Sequence, residues 1–226
     1  VIVRDNLEGM YPPREGDVAE LSALSSSSSW WQAPPVEKVG AYAVKVSTDE
    51  QMMRVAHAAC KLALERQAAG YPGRVTLGAK YSIQPRTDGR FRTIVKEAVS
   101  QHASLTYQEF LIDDMARRMV AVPETLDVVV LNNEHGDILA DVASGTIGGL
   151  GLCPSACYGE NYAYFEPVHG SAPDILGQNV INPTAMLLSG AMLLDYFGYR
   201  EQARRLEGAV EQGYHDGDGL TIGQGG

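Results

Sequence analysis

An α/β fold is predicted by buried strands that alternate with amphipathic helices. "VIVRDN" opens at Val1 on a β-branched run, and "LDVVVLN", residues 126–132, is an apolar run of buried-strand type. Between them, "DEQMMRVAHAACKLALERQAAG", residues 49–70, places its apolar side chains at helical spacing, with Thr48 as a cap and Gly70 past the end.

The other elements follow in order. "EGMYPPREGD" is a loop by its proline and glycine content. "LSALSSSSSWWQAPP", residues 21–35, is serine-rich, with Trp30 and Trp31 suggesting a surface excursion that packs at one point. "AYAVKVST" alternates as a strand does, and "RVTLGAKYSI" is another strand. The turn "PRTDG" leads to a helix from Phe91 to His102. "LTYQEFLI" is a strand, and "DDMARRMVAVP" a helix stopped by Pro123. A helical pattern runs from Gly136 to Gly145, where the glycine-rich tract "GTIGGLGLCPSACYG" breaks it. "AYFEPVHGSAPDILGQNVINP" reads as loop, and "TAMLLSGAMLLDYFG" as a helix buried on nearly all sides. "REQARRLEGAVEQGYHDG" is an exposed amphipathic helix.

With 226 residues and 45% hydrophobic content, the chain can bury a core as one large domain or two smaller ones. A formal charge of −10 argues against binding to nucleic acid or an anionic membrane, both of which need basic patches. Cys60, Cys153 and Cys157 are too few and too odd in number for a disulfide framework, which fits a reducing, cytoplasmic compartment. "CPSAC" lacks the second pair that a zinc site would need, so these cysteines read as packing residues. No apolar run reaches membrane-spanning length. The strand already under way at Val1 reads as the internal portion of a longer protein.

Chemistry concentrates in "NNEHGDILAD", residues 132–141. On a helix, Asp137 and Asp141 project from one face a turn apart, as on a solvated face or as ligands to a hard divalent cation such as Mg²⁺ or Mn²⁺. Other candidates are Arg4 and Tyr11 at the first strand and its loop, Lys80 ending a strand, and Asp113 opening a helix. Each alone has an ordinary structural role, an ion pair, a packed ring or a helix-dipole acid. Together they supply a metal, a base, an acid and a cation for a second carboxylate, as oxidation and decarboxylation of a 2-hydroxy acid require.

"VIVRDNLEGMY", "FLIDDMARRMV", "NNEHGDILAD", "GTIGGLGLCPSACYG" and "YFEPVHGSAPDILGQNVINPTAMLLSGAMLL" resemble the isocitrate and isopropylmalate dehydrogenase family, the metal-dependent β-decarboxylating dehydrogenases. The resemblance implies a two-domain, non-Rossmann isopropylmalate dehydrogenase-like fold, present without its N-terminal portion. Residues 1–148 would form most of the smaller domain, with the dimer interface and metal site, and 149–226 the C-terminal part of the larger, NAD-binding domain.

By the same resemblance, Asp137 and Asp141 bind the metal on one subunit of a homodimer and Asp113 reaches it from the other. Tyr11 protonates the carbon that carbon dioxide leaves, Lys80 from the partner acts on the substrate hydroxyl, and Arg4 clamps a substrate carboxylate. His169, Gly170, Ser171 and Ala172 line the nucleotide loop, with Asp174 and Ile175 at the adenosine ribose, Asn182 near adenine and Asn133 near nicotinamide. A carboxylate at 174 accepts hydrogen bonds from free ribose hydroxyls and repels a 2′-phosphate, which favours NAD over NADP.

The sequence departs from the family in three places. Tyr81 and Ser82 follow Lys80 where an asparagine is usual two residues on, which puts a shorter hydroxyl on the nicotinamide side. Glu134 and His135 replace residues that are more often apolar, and His135 reads as a solvated or interface histidine. The serine-rich tract lies where the family forms its subunit-clasping arm. A catalytically weak regulatory subunit of the same fold is the alternative, but such a chain would be expected to lack the tyrosine, the lysine or an aspartate. A simple nucleotide-binding module leaves Lys80 and the aspartates unexplained.

Overall fold

The computed structural model describes residues 1–23 and 39–217. Its backbone divides into two compact units, Val1–Leu139 and Ala140–Gly226.

The first unit is built on a parallel sheet of β1 (Ile2–Arg4), β4 (Arg74–Ala79), β5 (Thr106–Leu111) and β6 (Val128–Leu131), in the order β1-β6-β4-β5. β2 (Glu15–Asp17) and β3 (Ala41–Ala43) form a separate antiparallel pair. The helices are α1 (Asp49–Ala68), α2 (Asp88–Ser100) and α3 (Ile112–Ala121), followed by α4 (Asn133–Thr146).

Side-chain alternation explains the layers. Val75, Leu77 and Ala79 of β4, with Val128 and Val130 of β6, enter a core shared with Val55, Ala59 and Ala63 of α1 and Phe91, Val95 and Val99 of α2. Gly78 faces the other way, where a Cβ would stand 2.6 Å from Leu131 Cδ2 and 3.1 Å from Met115 Cγ, so α3 can approach that face only because position 78 has no side chain. The fully buried run of β6 reflects coverage of both faces, as in parallel sheets generally.

In the second unit, β7 (Pro154–Tyr158) and β8 (Ala163–Pro167) form a hairpin against α5 (Thr184–Tyr196), which packs on α6 (Arg200–Asp216). Buried Ser189 ties these elements: its hydroxyl donates to the Glu166 carbonyl at 2.8 Å and accepts from the Ser155 N–H at 3.3 Å.

The α/β expectation holds, with local differences. Thr48 caps α1 by accepting from the Gln51 N–H at 3.3 Å, a contact of about 1 kcal/mol, and Gly70 follows with φ +95°. The strand expected over 41–48 is confined to Ala41–Ala43. α2 starts at Asp88 rather than Phe91, because the expected turn continues directly into helix. α4 starts at Asn133, since Asn132 accepts the His135 N–H on its side chain at 3.0 Å and the Gly136 N–H on its carbonyl at 2.8 Å. The stretches read as glycine-rich break and loop contain β7 and β8. α5 is not buried all round in this chain: Met186 is 55% and Leu187 41% exposed. Residues 24–35 of the serine-rich excursion, including Trp30 and Trp31, lie outside the described residues.

Asp127, buried before β6, accepts from Arg66 Nε at 2.6 Å and from the Gly73 and Arg74 N–H groups at 3.0 and 3.2 Å. Burial alone would raise its pKa, but Arg66 and the two amides outweigh it and hold the carboxyl below its ordinary value. We expect Asp127→Ala to destabilise the chain by about 3 kcal/mol in urea titrations, because Arg66 loses its partner. As the folded pKa is depressed, the wild-type contribution is complete above the ordinary aspartate range and is lost as pH falls through the folded value. The difference between wild type and variant should shrink on acidification.

Candidate active site

The parallel register brings the candidate residues of the first unit to one edge. Arg4 ends β1 opposite Leu131, which ends β6, so Asn132 and Asn133 follow at the same level. Lys80 follows Ala79 at the end of β4, and Asp113 is the second residue of α3, directly after β5. These are the carboxyl ends of parallel strands, where ligands of open α/β sheets bind.

Two constellations stand there. In one, Asp137 of α4 accepts from Arg4 Nη1 on Oδ1 and from the Tyr11 hydroxyl on Oδ2, each at 2.5 Å. Arg4 is held by Asn133, whose Oδ1 accepts from Nε at 3.1 Å and from Nη2 at 2.6 Å. Asn133, 1% exposed, anchors itself by donating Nδ2–H to the Glu8 carbonyl at 2.9 Å. The guanidinium also lies 5.2 Å from the Tyr11 ring centroid, within cation–π range. Gly136 explains how Arg4 crosses α4: a Cβ there would be 2.5 Å from Arg4 Cγ. Asp141 follows Asp137 by one turn of the same helix and is exposed.

In the other constellation, Lys80 Nζ meets Asp113 Oδ1 at 2.5 Å, with side-chain exposures of 34% and 67%. Lys80, and then the helix-terminal backbone amide of Asp113 itself, hold the Asp113 carboxyl below its ordinary range. The Asp137 hydrogen bond, followed by partial desolvation, raises the Tyr11 pKa despite the opposing Arg4 charge, so its phenol is protonated at neutral pH.

Among the described residues, no three His, Cys, Asp or Glu side chains come together as a ligand set for a metal ion. Asp137, half-exposed, and Asp141, exposed, are carboxylates at i and i+4 of one helix, donors of the type that suits a hard cation completed by water and further ligands once Arg4 and Tyr11 release Asp137. His135, read from the sequence as a solvated or interface histidine, is half-buried in this chain, with Nδ1 3.0 Å from Asn132 Nδ2, and burial, assisted by the Lys45 and Lys80 charges, lowers its pKa.

In the second unit, the loop from His169 to Ile175 is shaped by its backbone. His169 Nδ1 is 2.8 Å from the Gly170 carbonyl, and Ser171 lies exposed beside it. Ala172 adopts φ +44° and ψ 59°, a left-handed conformation unusual for alanine, and caps the short turn Pro173–Ile175. The exposed Asp174 sits on that turn, whose backbone accepts from Gln178 Nε2 at 2.9 Å. Asn182 donates to the Tyr214 hydroxyl at 3.0 Å and accepts from the Thr184 N–H at 3.0 Å, which fixes the approach to α5.

Comparison with known proteins decides the relationship: the isocitrate/isopropylmalate dehydrogenase model matches residues 1–221. The chain belongs to this family. It is 38% identical over 212 residues to the 3-isopropylmalate/3-methylmalate dehydrogenase of Methanocaldococcus jannaschii, covering 94% of this chain and 58% of the relative. It is 39% identical over 211 residues to a mitochondrial regulatory subunit of NAD isocitrate dehydrogenase from Dictyostelium discoideum, covering 93% of this chain and 53% of the relative. The crystal structure of isocitrate dehydrogenase from Methylococcus capsulatus matches with a TM-score of 0.83 and 35% identity, over 99% of this chain and 60% of that one. The chain thus carries a fragment of the family fold and spans a little over half the length of these relatives.

Sequence reading missed Asn132 as the cap of α4, although an asparagine three residues before His135 is the relevant signal. It also left Asp88 in a turn, whereas the structure buries that carboxylate beside Lys80. The Tyr11–Asp137 bond yields a direct prediction: Asp137→Asn should lower the Tyr11 pKa towards the ordinary phenol value, followed by ring-carbon NMR titration. An unmoved titration would show that the bond does not form in solution.

Proposed function

We propose that the protein is the NAD-dependent oxidoreductase that its family membership suggests, oxidatively decarboxylating a 2-hydroxy acid with a C3 carboxylate. The observation that carries this reading is the sorting of the candidate side chains. Arg4, Tyr11 and Asp137 form one constellation, with Asp141 a turn away, and Lys80 and Asp113 form the other. That is the division expected if a homodimer completes each site with Lys80 and Asp113 of the opposite subunit. Residues 1–148 would then serve the smaller domain and dimer interface, and 149–226 the nucleotide-binding domain. The cysteine usage suits a cytoplasmic setting.

The chain's own groups have distinct tasks in this scheme. Arg4, aligned by Asn133, presents its remaining N–H donors to a substrate carboxylate. Lys80 lies against Asp113 and, as the neutral amine, would take the proton of the substrate hydroxyl directly or through water, while NAD, when bound, would accept the hydride. Tyr11, protonated at neutral pH, supplies a proton to the carbon left by carbon dioxide. Asp137, Asp141 and Asp113 would hold Mg²⁺ or Mn²⁺, which polarises the hydroxyl and stabilises negative charge when bound. The left-handed backbone at Ala172 suits close approach of a nucleotide to the loop of His169, Gly170 and Ser171, with Asp174 and Ile175 at the ribose. Asn182 would lie towards adenine, while buried Asn133 would serve the nicotinamide side by keeping Arg4 in place.

The similarity to a regulatory subunit supports a second reading, a weakly catalytic partner of an active chain. One assay separates them: NADH formation by the complete protein with Mn²⁺ on isocitrate, isopropylmalate, homoisocitrate, tartrate and D-malate, with and without EDTA. EDTA-sensitive turnover on one substrate is expected, and Asp137→Asn should weaken Mn²⁺ binding by more than about tenfold, the loss that even an outer-shell partner gives. Silence on every substrate would favour the regulatory reading.

Asp174→Ala should erode the preference for NAD, measured as the ratio of kcat/KM for NAD to that for NADP. An unchanged ratio would place cofactor choice elsewhere.

A further inference from the structure

Asp88 is 2% exposed, yet both of its carboxylate oxygens accept from other elements. Oδ2 takes the backbone N–H of Lys80 at 2.7 Å, and Oδ1 takes Lys45 Nζ at 2.5 Å and, more distantly, Asn132 Nδ2 at 3.4 Å. The Lys45 side chain is itself only 10% exposed. Lys45 also donates to Gln84 Oε1 at 2.9 Å, and the Lys80 carbonyl accepts from the Ile83 and Gln84 N–H groups at 2.9 Å each. The peptide from which Lys80 projects is therefore fastened at both ends.

We propose that Asp88 is a positioning residue for Lys80, with Lys45 as its buried counter-charge: the carboxylate fixes the Lys80 backbone so that its amino group meets the reacting hydroxyl. This inference rests on the proposed chemistry of Lys80. A helix-terminal acid needs only to sit near the first turn of α2 in water to gain from the dipole. Asp88 instead lies buried, where desolvation disfavours its charge unless partners are well placed. Those partners are the Lys80 peptide and a lysine that also braces the 80–84 turn. Through Asn132, the cap of α4, the same carboxylate touches the start of the helix that carries Asp137. Asp88 thus ties the bases of the two constellations together. Displacement of a reacting group by about 1 Å can lower turnover by roughly a hundredfold, so such a tie has kinetic weight.

Two neutral pairs isolate the hydrogen bond from the charge. In Asp88→Asn/Lys45→Met the side-chain oxygen can still accept the Lys80 N–H. In Asp88→Ser/Lys45→Met the hydroxyl suits a helix start but is too short to reach. In the complete protein, the serine pair should lose about 10- to 100-fold in kcat with the NAD KM within about twofold of wild type and circular dichroism unchanged, while the asparagine pair recovers most of that loss. Equal turnover by the two pairs, or parallel changes in kcat and KM, would overturn the proposal. Amide hydrogen exchange on the wild type keeps the test open if the serine pair does not fold: a protected Lys80 N–H is expected, and exchange at the rate of an exposed amide would refute the tie. A wild type inactive on every substrate with a protected Lys80 amide would instead count against the proposed reaction.

Discussion

The parallel pairing of β1, β6, β4 and β5 is the constraint on which the rest of the first unit depends. Parallel hydrogen bonding sends every strand the same way, so the residues that leave the strands at their carboxyl ends must share one edge. Arg4, Lys80, Asn132, Asn133 and Asp113 are far apart in sequence, but the register Arg4 to Leu131, Gly78 to Leu131 and Ala79 to Leu111 sets their strand ends level. The buried valines of β6 hold that register, because a one-residue slip would turn Val128 and Val130 away from the core of α1 and α2. Packing thereby determines where the chemistry stands.

The aspartates of the first unit divide by burial. Asp88 and Asp127 are buried and are bonded to scaffold amides as well as to a cation, so they act as fixed parts of the fold. Asp113 and Asp137 have side chains 67% and 48% exposed, and their partners are Lys80, Arg4 and Tyr11. Exposed ion pairs contribute little stability, so these contacts can be exchanged at small cost. A substrate carboxylate or a cation entering here would replace such contacts without dismantling the core.

Much of this was legible in the sequence. Thr48 and Gly70 bracket α1, Pro123 follows α3, and the apolar run of β6 stands out, because each rests on a local signal. The roles of Arg4, Tyr11 and Asp137 came from resemblance, since no local rule links positions more than a hundred residues apart. The failures have physical causes. Glycines and prolines around 145–183 conceal a hairpin whose strands are defined by mutual pairing rather than by strong alternation. Asp88 looked like part of a turn because its role depends on Lys80, Lys45 and Asn132, contacts that exist only after the sheet has formed. α5 reads as buried from its composition, yet Met186 and Leu187 are exposed in this chain, which spans little more than half the length of its relatives.

The glycine before Asp137 has a steric cause that links the sheet edge to its charges. Arg4 must cross α4 to reach the Asp137 carboxylate, and a side chain at 136 would overlap its stem. Asn133, one turn earlier on the same helix, then receives the other edge of the guanidinium, so the arginine is held on two sides while the Asp137 carboxylate stays half-exposed. Glu134 and His135 lie between these residues in sequence, while Asn133 and Asp137 make the Arg4 contacts. His135 instead turns to the Asn132 cap, on the side of Asp88 and Lys45. Variation at 135 therefore reaches the support of Lys80 before it reaches the grip of Arg4.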